Sequence, residues 1–268
     1  MQAKYDRIGK SYNQTRKADP YISSRLWYHL QSAMPGQCLD IGCGTGNYTI
    51  ALHQKGIDFI GVDPSHQMLA TAQSRPFDID WRQGVAEHLP LNNESVCAVL
   101  ASLTLHHWTS LTQGFQEAAR VLQKDGKLVI FTATPRQMDG YWLNHYFPKM
   151  LAKSKTQMPS FEHVQNSLQR SGFQVIQTEK YFVRDDQADL FLYAGKNRPS
   201  LYLDEKVRQG ISSFSDLANA REVEEGLQRL ANDIESGAHL ALRQQYQNQE
   251  GDYLFITAQP TSSHLALN

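Results

Sequence analysis

Short apolar runs and stretches of helical periodicity take turns along this chain. Runs of strand length occupy residues 38–41, 57–62, 79–83, 95–103, 127–132, 173–181 and 253–258. Between them apolar residues recur three and four apart: Ile22, Leu26 and Leu30; Tyr48, Ala51 and Leu52, closed by Gly56; Met68, Leu69 and Ala72, ahead of Pro76. The same spacing returns in Leu111, Phe115, Ala118 and Leu122 after a cap at Thr109 or Ser110, and in Phe161, Val164 and Leu168 before Gly172. Asp125–Gly126 reads as a turn into the fifth strand. Strands alternating with helices in this order predict parallel pairing with right-handed crossovers, hence an α/β doubly wound sheet with helices on both faces.

Two connections are too long for plain loops. Residues 183–250 separate the sixth strand from the last, and a structureless segment of that length does not fit a compact domain. A folded helical insertion is expected instead. Val223, Leu227, Leu230 and Ile234 keep helical spacing up to Gly237, and residues 190–193 and 207–214 also look helical. The connection 135–159 is rich in aromatics, with Tyr141, Trp142, Tyr146 and Phe147. These two segments either roof a pocket or make a plain subdomain core.

One stretch organises the rest. The run at 38–41 stops in glycines at 42, 44 and 46, a helix follows from Asn47, and the next strand ends in Asp63. Glycine suits such a turn because it accepts positive φ and has no Cβ to hold a ligand away. Ligands of open α/β sheets sit at the carboxyl ends of the strands, so Asp63 is expected beside the turn, placed to accept from a ribose diol. The dinucleotide fingerprint would need a glycine where Asn47 stands, and no Gly-Lys-Ser/Thr follows the turn. NAD and ATP are disfavoured.

LDIGCGTGNY followed by GVDPSHQML resembles the first two motifs of the class I S-adenosyl-L-methionine (SAM) dependent methyltransferases, in the ubiquinone-biosynthesis-like, methyltransferase type 11 group. The resemblance is strong over about residues 37–132. It implies SAM as cofactor, S-adenosyl-L-homocysteine as product, and a seven-stranded, mostly parallel sheet with its last strand antiparallel. By that resemblance Asp40 and the turn Gly42, Cys43, Gly44, Thr45 and Gly46 hold the methionine part, and Asp63 the ribose, with Pro64 and Met68 beside it. GVAEHLPL resembles the adenine segment and makes Gly84, Ala86 and Glu87 candidates. Val85 stands where an acid is usual; the Ala86 backbone N–H can still meet the ring, while Glu87 either substitutes or simply pairs on the surface. Ser102 and Leu103 end the fourth strand on the cofactor side, and Cys97 replaces an acid that many relatives carry at its start. Relatives also fold an N-terminal YD…Y…R segment over the cofactor, which makes Tyr5, Tyr12 and Arg16 candidate lid residues. The two tyrosines share one helical face and equally suit core packing. The expected domains are a cap at 1–34, a core at 35–182 and 251–260, the helical cap insertion at 183–250, and a tail at 261–268.

A sulfonium methyl is already activated, so alignment and exclusion of water matter more than a covalent intermediate. For an O–H or N–H acceptor a base helps, and His106 and His107 are the candidates, with a structural role as the alternative. Trp108, Tyr141 and Trp142 are candidate acceptor-binding aromatics. The net charge of −1 and the lack of a basic block argue against a nucleic-acid partner. The expected acceptor is therefore a small or lipid-like molecule. A SAM-binding module without turnover and a tRNA-modifying enzyme are the alternatives. Cys38, Cys43 and Cys97 lack metal-ligand spacing, so no metal is expected. With no apolar run long enough to span a bilayer and no signal-like start, the chain reads as soluble and cytoplasmic. Its oligomeric state is open.

Overall fold

The structure, a computed structural model, describes residues 15–261. Tyr5 and Tyr12 lie outside the described residues. Seven strands, β1 Cys38–Ile41, β2 Phe59–Asp63, β3 Asp80–Gln83, β4 Val96–Ser102, β5 Leu122–Thr132, β6 Phe173–Tyr181 and β7 Tyr253–Pro260, form one sheet in the order β3-β2-β1-β4-β5-β7-β6. All pairs are parallel except those of β7, which runs antiparallel to both β5 and β6. This is the expected doubly wound sheet. The chain steps outward from β1 to β3, then crosses back to lay β4 on the other side of β1. That reversal leaves a crevice outside the carboxyl ends of β1 and β4.

Among the described residues, helices of the first half include α1 Pro20–Leu30, α2 Asn47–His53, α3 His66–Gln73 and α4 Leu111–Val121. Four more precede β6: α5 Pro135–Asp139, α6 Leu143–Tyr146, α7 Pro148–Gln157 and α8 Phe161–Arg170. The insertion before β7 holds α9 Glu205–Gln209, α10 Ala220–Ser236 and α11 Ala238–Gln245. Strand side chains alternate between two cores. Leu39, Val99, Leu128 and Ile130 join Phe115 of α4 and Leu168 of α8, whereas Cys38, Leu100, Val129 and Phe131 join α1, α2 and the two long connections.

The start of α1 is set by Asp19, whose carboxylate accepts from the Tyr21 and Ile22 N–H groups at 2.9 and 3.0 Å. Its buried face is the expected Ile22, Leu26 and Leu30. His29, also buried, hydrogen-bonds Glu179 of β6 at 3.1 Å and Thr257 of β7 at 3.0 Å, while Arg25 pairs with the same glutamate. The helix is thus fastened across the antiparallel end of the sheet.

Two local expectations differ from the structure. Leu122 begins β5 instead of ending α4, and Asp125–Gly126 lies inside the strand where the pairing slips between Val96 and Ala98. A Cβ on Gly126 would sit 2.9 Å from the Cys97 carbonyl oxygen, so the strands close over it. Residues 190–193 are not helical, because backbone groups in and just before them are used elsewhere: Leu190 N–H donates to Thr15 O at 3.0 Å, and Ala188 N–H to Asp19 at 2.8 Å.

The two long connections fold against each other. Glu222 on α10 accepts from the Lys149 and Met150 N–H groups at the start of α7, at 2.6 and 3.1 Å, and Tyr146 donates to Asp233 at 2.7 Å. Gly226 lets α10 come close; a Cβ there would lie 2.5 Å from the Phe147 ring and 2.6 Å from the Tyr146 carbonyl oxygen. Gly226→Val is expected to destabilise the fold by about 1–3 kcal/mol through overpacking, read as a lower urea midpoint. An unchanged midpoint would mean that this contact does not hold the insertion.

Candidate active site

The turn after β1 folds back over the end of β2, with the Gly42 and Cys43 N–H groups both donating to Val62 O at 2.7 and 3.1 Å. Gly42, Gly44 and Gly46 all have positive φ, at 72°, 56° and 74°. They serve different ends. A Cβ on Gly42 would meet the Thr104 hydroxyl at 2.1 Å, and one on Gly46 the Trp81 ring at 2.3 Å, whereas one on Gly44 would meet nothing within 4 Å. Gly42 and Gly46 admit neighbouring side chains; Gly44 presents bare backbone to a cavity.

Asp63 is held beside the turn, accepting from Gly44 N–H at 2.9 Å and from Ser65 N–H at 2.8 Å. Asp40, buried at the end of β1, accepts from the Thr49 hydroxyl at 2.6 Å. Burial pushes its carboxyl up to about 7, the Thr49 hydrogen bond opposes that rise, and the nearby Asp63 charge adds to it. Cys43 is pushed well up by burial and stays a thiol, unsuited to nucleophilic attack.

Beyond β4 the chain turns sharply at Leu103, a non-glycine residue at φ 52°, and makes a single 3₁₀ turn over Leu105–His107. Left-handed backbone of this kind gathers at functional sites. The His106 and His107 rings lie 3.9 Å apart, centroid to centroid. The Ser102 hydroxyl at the strand end is buried without a hydrogen-bond partner among the described residues.

The segment before α1 crosses the same opening. Arg16 pairs with Asp189 of the insertion at 2.5 Å, Tyr48 donates to the same carboxylate at 3.1 Å, and Asn47 donates to Arg16 O at 2.8 Å. Strap, insertion and the start of α2 are thereby clasped together.

One cavity of about 1000 Å³ unites these groups, at the upper end of the roughly 300–1,000 Å³ usual for small-molecule sites. Its walls include Arg16, Asp40, Gly42, Cys43, Gly44, Thr45, Asp63, Pro64, Met68 and Gly84, and also Ser102, Leu103, His106, His107 and Tyr141. Val85 lines it too, 44% exposed. Five other candidates lie elsewhere. Gly46 faces Trp81, and Ala86 is buried in the core with Leu89. Glu87 accepts from the Thr109 and Ser110 N–H groups at 2.6 and 3.0 Å, bracing the entry to α4. Trp108 packs on Phe115 and over Gly114. Trp142 is sealed among Tyr146, Tyr193 and Tyr202, its indole N–H donating to Lys196 O at 3.0 Å. The sequence reading missed Asp189, Phe191, Leu192, Ile211 and Ser213, which the insertion brings to the cavity.

The family described as "Methyltransferase domain" matches residues 39–130. A solved structure of a proposed methyltransferase from an antibiotic biosynthesis pathway of Anabaena variabilis is 34% identical, with a TM-score of 0.81, covering 92% of this chain and 99% of that one. The chain belongs to the class I SAM-dependent methyltransferases. Among curated methyltransferases, the ubiquinone/menaquinone biosynthesis C-methyltransferase of Campylobacter jejuni is 27% identical over 147 residues, covering 48% of this chain and 61% of that protein. The biotin biosynthesis bifunctional protein of Cellvibrio japonicus is 40% identical over 98 residues, covering 36% of this chain and 20% of that protein. The chain thus spans less than two thirds of either curated relative. The cofactor of this methyltransferase is SAM. Its cavity fits that group: Gly44 leaves a cradle that a Cβ would fill, and Ser102 offers an unused hydroxyl.

Asp40 also makes the stability of this methyltransferase depend on pH. Its carboxyl is raised in the folded chain from an ordinary 3.8 to about 7, so the folded state is favoured at low pH and loses that contribution as pH rises from about 4 to about 7. Asp40→Asn keeps an acceptor for Thr49 and lacks this loss. The variant is expected to gain on the wild type in urea unfolding between pH 5 and pH 8; a constant difference would rule out the raised carboxyl.

Proposed function

We propose that this enzyme transfers the methyl group of SAM to a small-molecule acceptor held in the chamber between the strand ends and the insertion. The observation that carries the reading is the continuity of one cavity from Gly44 and Asp63 to Phe191, Leu192 and Ile211. The names of two of the relatives support it, one from an antibiotic biosynthesis pathway and one from ubiquinone/menaquinone biosynthesis.

In this reading the Gly44 backbone lies along the methionine part, Asp40 faces its ammonium group, and Arg16, oriented by Asp189, faces its carboxylate. Asp63 accepts from the ribose hydroxyls, and Pro64, Met68, Gly84 and Val85 flank the adenine. The bound sulfonium supplies a methyl carbon to the acceptor's lone pair while the carbon–sulfur electrons pass to sulfur. The strap before α1, together with residues 135–159 and 183–250, closes the chamber to water and aligns the acceptor. Where the acceptor loses a proton, His106 or His107 takes it.

Calorimetric titration with SAM tests the cofactor half. Gly44→Val is expected to abolish binding, because its side chain fills the cradle and strains the backbone. Asp63→Ala is expected to weaken binding by about 1.5–3 kcal/mol, the range for hydrogen bonds to a charged group. Affinity of the wild type is expected to fall as pH drops below about 7, where Asp40 takes up its proton. Full affinity in both variants would move the cofactor away from this turn.

A further inference from the structure

The walls that the long connections add to the cavity are apolar over much of their extent, with neutral polar groups between. Met138, Tyr141, Met158, Phe191, Leu192 and Ile211 provide rings, thioethers and branched chains. Tyr141 is stacked flat on Tyr193 at 3.9 Å and anchored by its hydroxyl to Asp252 O at 2.6 Å, so its ring is fixed. The methionines add flexible, polarisable surface that moulds to a ring.

The polar groups on these walls are equally uniform. Ser154 on α7 donates to Ser213 at 2.8 Å, both side chains being buried, and both line the cavity with Gln157 and Ser212. In such a pair one hydroxyl donates to the other, which leaves the accepting hydroxyl its own proton to donate. Hydroxyls and a primary amide match hydroxyl and carbonyl groups and do not balance a full charge. The ionised side chains that the strap and the insertion bring, Arg16 and Asp189, are paired with each other at 2.5 Å, Asp189 being 2% exposed. A charged acceptor would have to shed its water against apolar walls and neutral dipoles, at a cost that an uncharged one does not meet.

We infer that the acceptor is an uncharged, mainly apolar, ring-bearing molecule whose hydroxyl or carbonyl group meets the Ser154–Ser213 pair. This rests on the cofactor reading above and adds the acceptor's chemistry to it. Phosphorylated and ammonium-bearing acceptors are disfavoured by the same walls.

Three matched probes test it: 1-naphthol, 1-naphthyl phosphate and 1-naphthylmethylamine, titrated at pH 8 into protein saturated with S-adenosyl-L-homocysteine. 1-Naphthol is expected to bind at least about tenfold more tightly than either charged probe. Ser213→Ala is expected to weaken 1-naphthol several-fold while leaving S-adenosyl-L-homocysteine affinity unchanged. Equal or tighter binding of a charged probe, or no binding of 1-naphthol by the saturated protein, overturns the inference. Failure to bind S-adenosyl-L-homocysteine at all overturns the cofactor reading, and the inference with it.

Discussion

The carboxylate of Asp63 completes a junction between the turn after β1 and the end of β2 that the Gly42 and Cys43 N–H groups begin by donating to Val62 O. One oxygen takes the N–H of Gly44 from the turn after β1, and the other takes that of Ser65 at the start of α3. A glycine turn at positive φ is loose in isolation, since the freedom that lets it form also lets it leave. Anchored to the end of β2, it becomes a fixed ledge. The buried Asp40 beneath, the close packing of Thr104 over Gly42 and the Trp81 ring under Gly46 all presuppose that ledge.

A second clasp closes the opposite wall. Asp189 gathers Arg16 from before α1 and Tyr48 from α2. The next residues of the same segment, Phe191 and Leu192, line the cavity among the insertion's apolar groups. One short irregular stretch therefore touches both the groups assigned to the cofactor and those assigned to the acceptor. Its lack of helix is what permits this, because its backbone is tied outward to Thr15 and Asp19.

The parts readable in sequence are those whose partners lie nearby along the chain. The run of β1, its glycines, the helix from Asn47 and the acid after β2 fall within a single strand-turn-helix-strand unit, so spacing alone places them. Asp189 could not be found in that way, since Arg16 lies 173 residues distant and no pattern links them. Aromatic content flagged the 135–159 connection yet could not say which residues reach the cavity: Tyr141 is among its lining, whereas the indole of Trp142 is turned to Lys196. Equal spacing likewise hid the division of labour among the three glycines, which depends on the side chains of Trp81 on β3 and Thr104 in the turn after β4.

The sheet order also separates local from distant pairing. In the sheet, β6 pairs with β7 alone, and β7 is the last strand in chain order among the described residues. The strands behind the glycine turn, β1 to β4, pair with one another from residues close in the chain. The far wall depends on the chain travelling out through the insertion and coming back between β5 and β6. The glycine turn and the far wall thus belong to parts of the chain far apart in sequence, and β7, lying between β5 and β6, ties the segment that follows β6 back to the sheet.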